Sequence, residues 1–576
     1  FLFGGAAGQG IESNGAGFTR ALARTGLYAF GLPDYMSRIR GGHNFFQIRV
    51  SEGPLLTHCQ AVHLILAMDA ETVERHAAEV VPGGGVIYDE GLRIEPASLE
   101  IRGVRAFPMP LVTIATESGG NPVMANIAAL GAAAGVVEMD LTAMEGVIAQ
   151  GFARKGEDIV RANLEVARRA YALAGERYRA GFPWRLRRIE APRRMVISGN
   201  HAFAMGALLG GCKMVCAYPM TPATPIIEWF ASHGERYGAI IKHVEDEIAA
   251  VNMAIGANYV GVRAMAATSG GGFSLMSEAL GLAGMAETPL VIALSQRPGP
   301  STGMPTRSAQ GDLLFALHAS QDEFPRLVLA PHTHAEAFAA GWRAFNLAEK
   351  YQTPVIVLLD HHLSGAYATL PPEDLHMEDV AIDRGLFLDR DALDALEGPY
   401  LRYRITEDGI SPRAVPGHPK AVYSATSDEH HEDGHIDSES AENRTAMHAK
   451  RMRKLQTALR DIRPPLRYGP AEAEVTLLGW GSTYGAIREA VERANAAGGS
   501  VNMVHLVDIW PFPDQAVDAL LRPARRILTV ENNYSGQMAQ LLRMRTGLQV
   551  AGGILKWDGR AFTPEEIVAG LEKEVR

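Results

Sequence analysis

Residues 237–272 read YGAIIKHVEDEIAAVNMAIGANYVGVRAMAATSGGG. An apolar strand ends near Val244, a helix rich in small residues comes next, and RAMAAT opens a second apolar strand that runs into glycines. Strand, helix, strand with near-continuous apolar strands predicts an α/β unit whose parallel sheet is covered on both faces. Glu245, Asp246 and Glu247 are expected in the first helical turn. Acids there cap the helix and meet its dipole, at about 0.3–1 kcal/mol each. Capping does not account for the small residues beyond them. Ala249, Ala250, Ala254, Gly256 and Ala257 leave so little bulk that this helix can press against a neighbour. A carboxylate at such a buried end needs a partner. A nitrogen heterocycle that must be protonated or hydrogen-bonded is one.

The same rhythm recurs along the 576 residues, too many for one core. A first α/β unit, 1–180, opens FLFGGAAGQGIESNG and carries strands at 61–69, 84–89 and 104–110, with helix patterns from 121 to 174. Phe1 stands inside an apparent strand, so the natural chain is expected to begin upstream. GFPWRLRRIEAPRR, 181–194, reads as a linker. A second α/β unit spans 195–365, a polar, His-rich inter-domain excursion 366–470, and a third α/β unit 471–576. A net charge of −10 offers no field for nucleic acid, and no apolar run reaches the roughly 18 residues of a membrane span. Three cysteines, Cys59, Cys212 and Cys216, are too few for a disulfide framework and suggest a reducing, cytoplasmic setting. CKMVC reads as a strand that holds its two thiols apart, hence as buried structural cysteine rather than a metal pair.

Three further stretches carry chemistry. AYPMTPATPIIEW (217–229) is a proline-stiffened loop after a strand, with Thr221 at the carboxyl end of the sheet, where open α/β sheets bind ligands. TSGGGFSLMSEALG (268–281) is strand, glycine turn and helix, and lets backbone approach a ligand. QRPGPSTGMPTRSAQGDL (296–313) is a long loop with Arg297 and Arg307, either of which could fork onto a carboxylate or face solvent. His430, His431 and His435 in the excursion suit a transition metal, or an ordered loop against a neighbouring subunit.

Taken together, GGAAGQGI, SRIRGGHNFFQIRVS, YPMTPATPI, VEDEIAAVNMAIGA, TSGGGFSLMSEA, QRPGPSTGMPTRSAQGDL and GWGSTYGAI resemble, in order and over nearly the whole chain, the fused gamma–alpha subunit of 2-oxoacid:ferredoxin oxidoreductases, most closely the 2-oxoglutarate type. The resemblance implies a multidomain α/β fold: a Rossmann-like gamma domain, a domain that binds the pyrimidine of thiamine diphosphate, and a transketolase C-terminal-like domain. It implies CoA-dependent oxidative decarboxylation of a 2-oxoacid with reduction of ferredoxin. Glu247 becomes the acid that hydrogen-bonds the pyrimidine, with Glu245 and Asp246 left to cap. Thr221 becomes a contact to the substrate carboxylate, joined by Arg307 as the preferred arginine and Arg297 close behind. Tyr218, Pro219, Thr268, Ser269 and Gly270 become cofactor contacts, and Arg38 or Arg40 a contact to coenzyme A phosphates.

No GDG occurs, and EDG at 407–409 and 432–434 and WDG at 557–559 lack the strand-to-helix setting that diphosphate binding needs. The resemblance therefore implies a beta subunit that brings Mg²⁺, the diphosphate-binding domain and a [4Fe–4S] cluster, in an (alpha–beta)₂ heterotetramer. Alone, the chain should be inactive. Pyruvate or a broad 2-oxoacid range is the alternative substrate. A rival of another class is a dinucleotide-binding module on GGAAGQG, with Asp34 near the required acid position. A dead scaffold would lack the acid at position 247.

Overall fold

The computed structural model describes residues 1–37 and 41–575; Arg38 and Arg40 lie outside the described residues. The chain divides into two compact units, residues 1–198 with 365–374, and residues 199–364 with 375–576.

The first unit holds an eight-stranded sheet in the order Arg105–Met109, Val80–Asp89, Val62–Ala67, Leu2–Ala6, His43–Ser51, Tyr28–Asp34, Tyr367–Leu370, Met195–Ser198. Leu2–Ala6 and the three strands on its one side are mutually parallel. The four on its other side join antiparallel at every step. The expected α/β class stands, but the expected mainly parallel sheet is half antiparallel. Strand Tyr28–Asp34 and strand His43–Ser51 escaped sequence reading because their partners are supplied by folding rather than by periodicity. This order also removes the support for a dinucleotide module. The strand ending at Asp34 is separated from Leu2–Ala6 by an antiparallel strand, so the adjacent parallel pair that places a ribose-binding acid is absent. The helix Ala125–Val136, apolar and buried at every residue but Asn126, packs under this sheet.

The second unit contains the remaining two sheets. The larger runs Asp508–Trp510, Leu327–Leu329, Pro354–Asp360, Leu290–Gln296, Ala264–Thr268, Met214–Ala217, Ile240–His243. All its pairings are parallel except the one made by Asp508–Trp510, a strand lent from the C-terminal segment. Its central strands are buried on both faces, which is why they read as unbroken apolar runs. Cys212 and Cys216 form no disulfide and are buried, and burial pushes their thiols up to about 12 and about 11. The smaller sheet, of five strands, runs Leu466–Tyr468, Val501–Leu506, Val475–Trp480, Ile527–Glu531, Gly552–Leu555.

The stretch 366–470 is not a single excursion between domains. Tyr367–Leu370 closes into the first sheet, and Leu375 onward belongs to the second unit. Leu393, Tyr400, Ala414 and Ala421 form a small core of their own. Helix Ala441–Ala458 buries Lys450, Arg451 and Lys454 rather than an apolar stripe. Lys450 and Lys454 reach Glu287 at 2.5 and 2.6 Å, all three fully or almost fully buried. His430 is buried against Tyr403, ring centroids 4.1 Å apart, while His431 and His435 pair with Asp437 and Asp433. Among the described residues no group of three or more His, Cys, Asp or Glu could hold a metal ion, and no helix is long and apolar enough to cross a membrane.

Candidate active site

The site lies at the carboxyl end of the larger sheet, where Met214–Ala217, Ala264–Thr268 and Leu290–Gln296 release their loops. Helix Glu247–Tyr259 begins later than the acids suggested. Asp246 is its N-cap, accepting from the Ala249 N–H at 2.7 Å, and Glu247 is the first helical residue. Capping is thus done by Asp246, and Glu247 is left for other use. Its side chain is buried, 4% exposed, and Oε1 has no hydrogen-bond partner. A buried carboxylate oxygen left without a donor carries a desolvation cost that a donor from a ligand would offset.

The glycine turn explains how the acid fits. A Cβ on Gly272 would run into Thr268 Oγ1 and stand 2.7 Å from Glu247 Oε1. Only a residue without a side chain allows helix Gly270–Met285 to seat against that carboxylate. Ser269 precedes the helix without capping it, and its buried Oγ is also unpartnered. Thr268 is fully buried, whereas Tyr218 and Pro219 are exposed. Unpartnered Glu247 Oε1 and Ser269 Oγ, beside uncapped helical N–H groups, suit the edge of a polar ring.

The two arginines part company. Arg297 Nη1 donates to the Thr221 carbonyl at 2.7 Å, which joins the proline loop to the loop after Leu290–Gln296. Burial pulls the Arg297 guanidinium below its usual value, and Asp312 counters it. Arg307 belongs to a different neighbourhood. The next residue, Ser308, donates its N–H to Gly559 O at 3.1 Å and accepts from the His362 N–H at 3.2 Å. His361 beside Arg307 is pushed down to about 4, by burial first and by that guanidinium next. Gln310 fastens the loop further, donating to Trp480 O at 2.8 Å and accepting from the Asn532 N–H at 3.0 Å. The arginine preferred on sequence is therefore set against the C-terminal segment, and the structure brings the other one to Thr221.

Asp312 was missed. It follows the AQG of the same loop, a position with no spacing signal. Its carboxyl is pushed up to about 6 by burial, with Arg297 holding it down.

Three family models match the chain: pyruvate flavodoxin/ferredoxin oxidoreductase, thiamine-diphosphate-binding, over residues 205–450; pyruvate ferredoxin/flavodoxin oxidoreductase over 1–173; and pyruvate:ferredoxin oxidoreductase core domain II over 473–567. The alpha subunit of a 2-oxoacid:ferredoxin oxidoreductase from a Sulfolobus species is 35% identical, covering 100% of this chain and 97% of its own. The KorA subunit of 2-oxoglutarate oxidoreductase from Mycobacterium tuberculosis is 30% identical, covering 98% and 90%. Among solved structures, 2-oxoglutarate:ferredoxin oxidoreductase from Magnetococcus marinus, with 2-oxoglutarate, coenzyme A and succinyl-CoA bound, superposes with a TM-score of 0.92 at 35% identity, covering 100% and 99%.

Proposed function

Because the chain belongs to the family of 2-oxoacid:ferredoxin oxidoreductase alpha subunits, we propose that it furnishes the pyrimidine-binding half of a thiamine diphosphate site for 2-oxoglutarate, with coenzyme A as acyl acceptor and ferredoxin as electron acceptor. Thiamine diphosphate, when bound, supplies a nucleophilic carbon and a sink for the electrons released with carbon dioxide. The residues of this chain do the rest of what this half contributes. Glu247 Oε1 accepts a hydrogen bond from the pyrimidine ring and holds a proton at that nitrogen, in a setting dry enough to make the bond strong. Gly272 admits the carboxylate, and Ser269 and Gly270 border the ring. Thr221 and Arg297 hold the carboxylate of the 2-oxoacid; Arg297, already fixed through Nη1, has further N–H donors for the ligand.

The unpartnered, 4% exposed Glu247 carboxylate is the observation that carries this reading. Mg²⁺, the diphosphate-binding domain and the [4Fe–4S] cluster are assigned to a beta subunit in an (alpha–beta)₂ assembly. Tyr218, Ile248, Met253 and Leu275 are 41, 50, 38 and 51% exposed on the very elements that build the half-site, which suits burial under that partner. The first unit is assigned to cover coenzyme A, and three cysteines outside any disulfide suit a reducing cytoplasm. Support for 2-oxoglutarate comes from the ligands named for the Magnetococcus enzyme; a broad 2-oxoacid range is the second reading, because the Sulfolobus relative is named for no single oxoacid. Co-purification with the partner subunit, then CoA-dependent dye reduction with 2-oxoglutarate and pyruvate in parallel, separates the two. Failure of both substrates would refute the proposal.

A further inference from the structure

Asp312 immediately precedes helix Leu313–His318, yet its side chain makes no cap bond. Its backbone N–H is fixed instead to Gln296 Oε1 at 3.0 Å, and Gln296 closes the strand that leads into Arg297. The carboxylate is thereby turned onto the glycine turn. A Cβ on Gly270 would stand 2.7 Å from Oδ2 and 3.1 Å from Oδ1. Oδ2 is buried and has no hydrogen-bond partner. An uncommitted acid thus sits at the cofactor-side glycine, in the field of the arginine that grips Thr221. The charged group acting on it is Arg297, from the loop after Leu290–Gln296; Glu247 lies against Gly272, two residues further along the same turn.

Building on the proposed function, we infer that Asp312 makes 2-oxoacid binding proton-linked: it balances Arg297 before substrate arrives, and takes up one proton from solvent when the substrate carboxylate comes to that arginine. Were it to stay ionised, two anions would share one cation in an enclosed space. With burial already holding the acid near 6, the second anion moves it further up. The net charge beside Arg297 is the same before and after binding, and the site stores no uncompensated anion.

Titrating 2-oxoglutarate calorimetrically into the assembled Glu247→Gln complex, in which turnover should be too slow to contribute heat, tests this. Parallel runs in two buffers of different ionisation enthalpy count protons. Uptake approaching about one proton per site near pH 7 is expected, with the dissociation constant rising about tenfold per pH unit above 6. The Glu247→Gln/Asp312→Asn complex should take up none and show a flat profile. No uptake in the first complex, or equal uptake in both, overturns the inference while leaving the proposed function in place. Absence of any binding would bring down both.

Discussion

At Glu247 two physical demands meet: a carboxylate is buried without a partner, and a glycine is placed so that nothing fills the space beside it. Glu247→Gln should lower turnover by about 10²–10⁴ with the melting temperature and partner binding unchanged; turnover near wild type would remove the assigned role. Thr221→Ala and Arg297→Ala should each cost about 1.5–3 kcal/mol of substrate binding, read as a raised KM. Arg307→Ala should move KM less, since its neighbours are His361 and the Gly559 loop; the reverse ranking would return the substrate role to Arg307. In sequence the small residues along one helix suggest a tightly packed acid, but which of the three acids it is came only from the family resemblance; the structure adds that Asp246 is the cap and Glu247 the buried one. The choice between arginines was not legible, because an irregular loop carries no period, and only the fold shows which one meets Thr221.

Helix Ala441–Ala458 is the element whose stability is most exposed to charge. Glu287 is fully buried between Lys450 and Lys454, with Arg402 near by. Burial alone would push its carboxyl up, but the three cations together hold it far below the usual carboxylate range. Removing one partner of a buried pair strands the other, at about 3–5 kcal/mol. Glu287→Gln should therefore lower the opening free energy of this helix by that amount, measured by amide hydrogen exchange. The sign with pH follows from the depressed carboxyl. The wild-type advantage is complete between the unfolded carboxyl value near 4.5 and neutral pH; it fades as pH falls through the lower folded value, and again above neutral pH, where burial has brought Lys450 and Lys454 down to about 7 and about 8. An advantage already absent at pH 6 would contradict this. Sequence alone shows only a polar excursion here, because lysines facing a core invert the usual pattern and their counter-charge lies 163 residues away.

Across the molecule, the parallel strands of the second unit were readable from apolar runs, and the glycine and proline loops at their ends from composition. What stayed hidden is non-local: the antiparallel half of the first sheet, strand Tyr367–Leu370 that completes it, and strand Asp508–Trp510 that extends the larger sheet of the second unit. The central claim is a catalytic centre assembled from two different polypeptides. Its most direct test is calorimetric titration of thiamine diphosphate with Mg²⁺ into this chain alone and into its complex with the beta subunit. The chain alone should give no saturable heat and oxidise no 2-oxoacid, and the complex should do both. Tight cofactor binding and turnover by the chain alone would contradict it.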